Sequence, residues 1–260
     1  MEGRERLRLL SRVMWPSTLS LLQSVGIAPG MRCLDLGCGG GDVAFELARM
    51  VGPAGSVTAV DMDQIKIAAA EREALALGLT SIEFRVINVN ESDLDAGFDL
   101  AHARFLLSHL EDPGRALAKM RDALRPGGML AVADIDFAGH ICDPECAAFQ
   151  RYVQLYTETV KCRGGDANIG RRLPKLLIEA GFEGVQMKVA QPAGMEGDVK
   201  LIAPLTMELI GDAAISAGLA TSEEIAQLVT ALYEFAALPR TMMSAAPIIQ
   251  AWGMRPKAVS

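Results

Sequence analysis

Apolar residues recur at helical intervals over residues 6–25, with Leu9, Leu10, Val13 and Met14 followed by Leu19, Leu21, Leu22 and Val25. Pro16 sits between the two groups and predicts a break or restart of that helix, because proline removes one helical hydrogen bond and crowds the preceding turn. Ile27-Ala28-Pro29-Gly30 reads as a turn. The pattern then becomes regular. Short apolar runs predict strands at 31–36, 56–61, 82–87, 98–102 and 129–135, and periodic stretches predict helices at 42–50, 64–77 and 113–124. Gly52-Pro53-Ala54-Gly55, Gly78 and Arg125-Pro126-Gly127-Gly128 punctuate them. Strand and helix alternate, which implies parallel strands joined by crossovers in a doubly wound α/β sheet. Ligands bind such sheets beyond the carboxyl ends of the strands, where strand order reverses.

The second half is less regular. Helices are predicted at 144–162, 171–180, 196–218 and 221–236, with strands at 185–190 and 248–254. Thr221, answered three positions on by Glu224, is a capping box for the last helix.

Composition narrows the function. Half of the residues are apolar and 22% are charged, which supports a folded core and excludes a disordered chain. The net charge of −7, without a Lys/Arg cluster, argues against nucleic acid, whose backbone is bound through cations. Mean hydropathy is +0.24, yet no run of about 18 apolar residues predicts a membrane span. The charged opening Met1 to Arg6 lacks the apolar core and cleavage site of a secretory signal, so a cytoplasmic location is expected. Five cysteines at irregular spacing suggest free thiols, and no second pair completes a zinc site, so no metal is expected.

The stretch Asp35-Leu36-Gly37-Cys38-Gly39-Gly40-Gly41-Asp42 carries the chemistry. Its glycines let a ligand approach the backbone where a strand hands over to a helix. A dinucleotide fingerprint would need its third glycine at Asp42, where a carboxylate repels a pyrophosphate, and no Gly-Lys-Ser/Thr of a phosphate-binding P-loop follows. The remaining pattern of an acid followed by three alternate glycines (Asp35, Gly37, Gly39, Gly41) resembles motif I of the class I S-adenosylmethionine-dependent methyltransferases. Val57-Thr58-Ala59-Val60-Asp61-Met62, Phe98-Asp99-Leu100-Ala101-His102-Ala103-Arg104 and Leu124-Arg125-Pro126-Gly127-Gly128 are similar to that family's second strand, fourth strand and turn into the fifth strand.

The resemblance implies a mostly parallel seven-stranded sheet with S-adenosylmethionine as cofactor. It implies that Asp35, Gly37 and Gly39 bind the cofactor, and that an acid near Asp35 helps to hold the ammonium of its methionine end. Asp61 would accept both ribose hydroxyls and Met62 would pack on adenine. Arg104 would lie near the cofactor's carboxylate, to bind it or an acidic substrate. After the third strand the family often has an Asp for the adenine amino group. Here Val89 takes that position and offers only backbone, while Asn88 or Asn90 could supply an amide.

No Asn/Asp-Pro-Pro-Tyr/Phe follows the fourth strand and no Pro-Cys pair occurs, which argues against methylation of adenine, glutamine or cytosine. A small-molecule acceptor methylated at oxygen is the expectation, with carbon and nitrogen open. A cofactor-binding protein of the same fold without transfer activity is the alternative, and an NAD-dependent oxidoreductase a third. Roughly 55 residues separate the sixth strand from the last. The expected organisation is therefore a helical segment at 1–30, a core at 31–194 and 245–256, and a helical lid at 195–244. Phe137, Phe149, Tyr152, Tyr156, Met195, Met207, Met242 and Met243 would offer an adaptable apolar pocket. A hydroxyl acceptor calls for a general base, and His140, just past the fifth strand, is the first candidate, with His102 next and His109 read as structural.

Overall fold

The computed structural model describes residues 2–257, with side chains from Leu9 onward, so the side chains of the charged opening 1–6 lie outside the described residues. In chain order the elements are α1 (Glu2–Ser24), β1 (Arg32–Leu36), α2 (Asp42–Val51), β2 (Ser56–Asp61), α3 (Gln64–Ala76), β3 (Ile82–Val86), β4 (Phe98–Arg104), α4 (Pro113–Ala123) and β5 (Leu124–Ile135). There follow β6 (Cys142–Asp143), α5 (Ala147–Cys162), α6 (Leu173–Glu179), β7 (Glu183–Ala190), β8 (Ala193–Gly194), α7 (Ile202–Ser216), α8 (Ser222–Ala237), β9 (Met242–Ser244) and β10 (Ile248–Met254).

Seven strands form one sheet in the order β3-β2-β1-β4-β5-β10-β7. The first five are parallel, and β10 runs antiparallel to both β5 and β7. Strand order reverses between β1 and β4, so the carboxyl ends of these two strands flank the crevice where such sheets take their ligands. Both faces of the sheet are covered. Leu34, Leu36 and Leu130 pack with Leu117 of α4 and Leu177 of α6, while Cys33, Ala131 and Trp252 pack with Leu21 and Leu22 of α1 and Leu47 of α2.

Pro16 corrects the expected break, since α1 runs through it. Leu9, Met14, Leu21 and Leu22, on either side of the proline, are all buried against the sheet. Burial at roughly 1.5–3 kcal/mol per side chain outweighs the ~3 kcal/mol that an internal proline costs.

The 195–244 segment holds α7 and α8, which pack on α5 around an apolar cluster that includes Phe149, Tyr152, Met207, Leu232 and Met243. Thr221 caps α8 by accepting the Glu224 N–H at 3.1 Å. A small second sheet, β6-β9-β8, was not legible in the sequence. Its strands are two or three residues long, too short for any alternation to register.

Candidate cofactor site

The glycine loop is laced onto the neighbouring strand. The N–H groups of Gly37 and Cys38 both donate to the Val60 carbonyl, at 2.8 and 3.0 Å. Gly41 precedes α2 with φ 86°, and a Cβ there would lie 2.8 Å from the Phe45 ring, so only glycine fits. Gly39 is also left-handed, φ 54°, but no described residue lies within 4 Å of where its Cβ would point. The loop therefore has one packed side and one open side.

Asp61 closes the end of β2. Its Oδ2 accepts the Gly39 N–H and its Oδ1 the Asp63 N–H, each at 2.9 Å. Asp63 in turn caps α3, accepting the N–H groups of Ile65 and Lys66 at 2.9 and 3.2 Å. Both oxygens of Asp61 are thus fixed in direction, and each keeps a lone pair for a further donor.

A cleft of about 60 Å³ opens beside this acid, with Gly37, Asp61, Met62, Asn88, Val89 and Leu106 among its walls. Met62 stands at the rim, 69% exposed. Val89 is buried in one apolar cluster with Leu107 and Leu110, and its carbonyl accepts the Lys119 ammonium at 2.7 Å. The Val89 carbonyl is therefore engaged within the chain. Asn88 Oδ1 accepts the Asn90 N–H at 3.1 Å, which fixes the amide's direction. Leu106 was missed by sequence reasoning. It follows Phe105, a non-glycine residue at φ 55°, and its side chain comes within 3.1 Å of a Cβ placed on Gly37. The Phe105-Leu106-Leu107 run gave only a generic apolar signal.

Asp35 is buried on β1, opposite His102 of β4 in the strand register. His102 Nδ1–H donates to Asp35 Oδ1 at 2.8 Å, while Asp35 Oδ2 and His102 Nε2 are buried without a hydrogen-bond partner among the described residues. Arg104, two residues on, donates from Nη1 to Thr18 Oγ1 of α1 at 2.9 Å. Burial pulls the Arg104 pKa down, and the nearby carboxylates of Asp35 and Asp42 oppose it. Burial and the charges of Asp35 and Asp61 push the Cys38 thiol well above the ordinary thiol range, so it carries little thiolate at neutral pH.

The hydrogen-bond and ring partners of His140 are other residues. Its Nδ1–H donates to the Phe137 carbonyl at 2.8 Å, which leaves the lone pair on Nε2. Its ring lies 4.4, 5.5 and 5.9 Å from those of Phe137, Phe149 and Tyr152, and burial lowers its pKa to about 4. None of these contacts reaches the glycine loop. The expected adaptable pocket is largely filled by its own walls. Phe137 stacks on Tyr156 at 3.8 Å, Met207 and Met243 are buried in the same cluster, and Met195 is exposed. An open groove of about 420 Å³ lies elsewhere, between the carboxyl ends of α5 and α7. Among the described residues no cluster of potential metal ligands occurs, and no helix is long and apolar enough to cross a membrane.

Residues 27–181 match the family model described as a methyltransferase domain, and the chain belongs to that family, whose cofactor is S-adenosylmethionine. The chain is 34% identical over 159 residues to the O-methyltransferase resE of Aspergillus sclerotiorum, covering 59% of this chain and 55% of that protein. It is 31% identical over 139 residues to a 2-phytyl-1,4-naphtoquinone methyltransferase of Trichormus variabilis, covering 52% of this chain and 57% of that protein. The chain thus spans little more than half the length of these curated relatives. A Bacillus halodurans C-125 structure described as a methyltransferase superposes with a TM-score of 0.63 at 18% identity, covering 92% of this chain and 98% of that one, a likeness of fold.

Proposed function

We propose that this protein is an S-adenosylmethionine-dependent methyltransferase that methylates a small organic molecule at oxygen. The observation that carries the reading is Asp61, held at both oxygens beside a cleft and an open-sided glycine loop. The residues present fit the cofactor. The space over Gly39 leaves room for a ligand, and the buried, unpartnered Oδ2 of Asp35 suits a cation at the methionine end. Bound there, S-adenosylmethionine supplies an electrophilic methyl group on a positive sulfur.

The remaining work falls to the chain. Asp61 accepts the two ribose hydroxyls, and Met62 covers one face of the adenine. Asn88 presents its amide to the adenine edge, with the Val89 side chain as an apolar wall. Asp35 takes the ammonium, and Arg104 the carboxylate. Most of the acceleration comes from alignment and exclusion of water. His140 takes the acceptor's hydroxyl proton at Nε2, and the helices of 195–244 serve as the lid over the acceptor. The −7 net charge and the free cysteines fit a cytoplasmic enzyme acting on a metabolite rather than on nucleic acid. The O-methyltransferase relative favours oxygen as the acceptor atom, and the naphtoquinone methyltransferase relative favours a ring compound as the acceptor.

Calorimetry with S-adenosylhomocysteine, followed by incubation of S-adenosylmethionine with a panel of phenols, hydroquinones and a metabolite extract, tests the reading. Binding with methyl release to one of these supports it. Binding without release in any of them leaves a cofactor-binding partner protein, and no binding at all removes the reading.

A further inference from the structure

We propose that His102 is a positioning residue for the amino-acid end of the cofactor. It holds one oxygen of Asp35 so that the other is kept for the cofactor's ammonium. The proposal rests on the cofactor reading above and adds to it a residue outside the glycine loop.

The geometry is specific to this pair. Asp35 and His102 face each other across β1 and β4, the two strands that flank the point where strand order reverses. Both are shut away from solvent, at 2% and 0% exposure. Nδ1–H of His102 reaches Oδ1 at 2.8 Å and stops the carboxylate from turning. Oδ2 is left buried without a partner among the described residues, an arrangement that folded chains rarely keep without a ligand or an ordered water to satisfy it. Among the described residues, Arg104 does not supply that partner. Arg104 lies close enough to feel the Asp35 charge, but its guanidinium donates to Thr18 of α1. The carboxylate is therefore fixed at one oxygen and unsatisfied at the other, two residues before the loop begins at Gly37. A histidine that merely filled space between the strands would be replaced without loss by an apolar side chain of similar volume. One that orients a carboxylate for a cation would not.

Two ligands separate these roles. S-adenosylhomocysteine carries the amino-acid end, and 5′-methylthioadenosine lacks it while keeping the adenine and ribose. Dissociation constants of both are measured by calorimetry for the wild type, His102→Leu and His102→Asn. His102→Leu should weaken S-adenosylhomocysteine by about tenfold or more and leave 5′-methylthioadenosine within about twofold of the wild type. His102→Asn, whose amide N–H stands near the place of Nδ1–H, should recover most of the loss. In wild-type protein labelled with ¹⁵N-histidine, S-adenosylhomocysteine should move the His102 Nδ1 resonance and 5′-methylthioadenosine should not, a readout that needs no variant to fold. Equal loss of both ligands in His102→Leu, undiminished affinity for S-adenosylhomocysteine in that variant, or a resonance indifferent to which ligand is added would overturn the proposal. If the wild type binds neither ligand, the cofactor reading itself has failed.

Discussion

Asp61 Oδ2 accepts the backbone N–H of Gly39 at 2.9 Å, so the acid that ends one strand fixes the loop that follows its neighbour. Two parts of the sheet, 22 residues apart in sequence, thereby present one surface. The carboxylate is aimed before any ligand arrives, and little ordering remains to be done on binding. Asp61→Ala should therefore lose two ribose hydrogen bonds to a charged acceptor and also release the loop. Two such bonds contribute about 3 kcal/mol, so the dissociation constant of S-adenosylhomocysteine should rise about 100-fold by calorimetry. Asp61→Asn, which keeps one acceptor oxygen, should fall between the two. Unchanged affinity in Asp61→Ala would remove the acid from the site.

Two glycines of the same loop should fail in different ways. At Gly41 a methyl group meets both a left-handed backbone and the Phe45 ring at 2.8 Å. Gly41→Ala should destabilise the fold by about 2–3 kcal/mol and lower the melting temperature by about 5–10 °C. At Gly39 the methyl points into open space, so only the backbone term remains, about 1 kcal/mol. Gly39→Ala should nevertheless lose affinity for S-adenosylhomocysteine, because in the proposed site the methyl projects into the space assigned to the ligand. Thermal melts and calorimetry on the two variants check the split, and equal effects on both quantities would contradict it.

Much of the sheet was legible because its strands announce themselves. The strands β2 and β10 begin and end at the predicted residues, 56–61 and 248–254, bounded by turns on one side or both. What stayed hidden depended on long-range packing. Pro16 carries the local signal of a break, and only burial of Leu9, Met14, Leu21 and Leu22 against the sheet overrules it. The short β6, β8 and β9 pair with one another across 50 to 100 residues and leave no periodic trace. In the candidate site, the order of motifs brought Gly37, Asp61, Met62 and Asn88 to one cleft. Sequence could not reveal that Arg104 is tied to Thr18, that the Val89 carbonyl is taken by Lys119, or that His102 occupies one oxygen of Asp35. Each of these depends on which way a side chain turns.

His140 has a pH signature that does not require its catalytic role. Its pKa falls to about 4 in the folded chain, against about 6.5 when unfolded. Above pH 6.5 both states are neutral and nothing is lost. As pH falls from 6.5 toward 4 the unfolded chain takes up a proton that the folded chain refuses, so stability declines by about 3 kcal/mol over that window. His140→Phe, which suits the aromatic surroundings, should flatten this dependence in denaturant titrations at pH 4.5 to 7.5. If Nε2 is the base, the same variant should lower kcat by about 10²–10⁴-fold with S-adenosylhomocysteine affinity unchanged. Full activity in the variant would return His140 to a packing role.

Asp134 should show the opposite slope. It is fully buried near the carboxyl end of β5, where its oxygens accept the N–H groups of Ser108 and Ile135 at 3.0 and 2.9 Å. Burial outweighs these bonds and raises its pKa to about 6. Between about pH 4 and 6 the folded carboxyl therefore keeps a proton that the unfolded one has shed. The stability linked to that proton is fully present below about pH 4 and is lost as pH rises through 6, a change of about 3 kcal/mol. Asp134→Asn cannot titrate. The stability of the wild type minus that of Asp134→Asn should accordingly be larger at pH 5 than at pH 7.5, whatever the variant costs outright through its weaker acceptors. Because Ser108 belongs to the turn that carries Leu106 and Leu110, both walls of the cleft, the variant should also weaken S-adenosylhomocysteine. A pH-independent difference between the two proteins would mean that Asp134 stays ionised throughout.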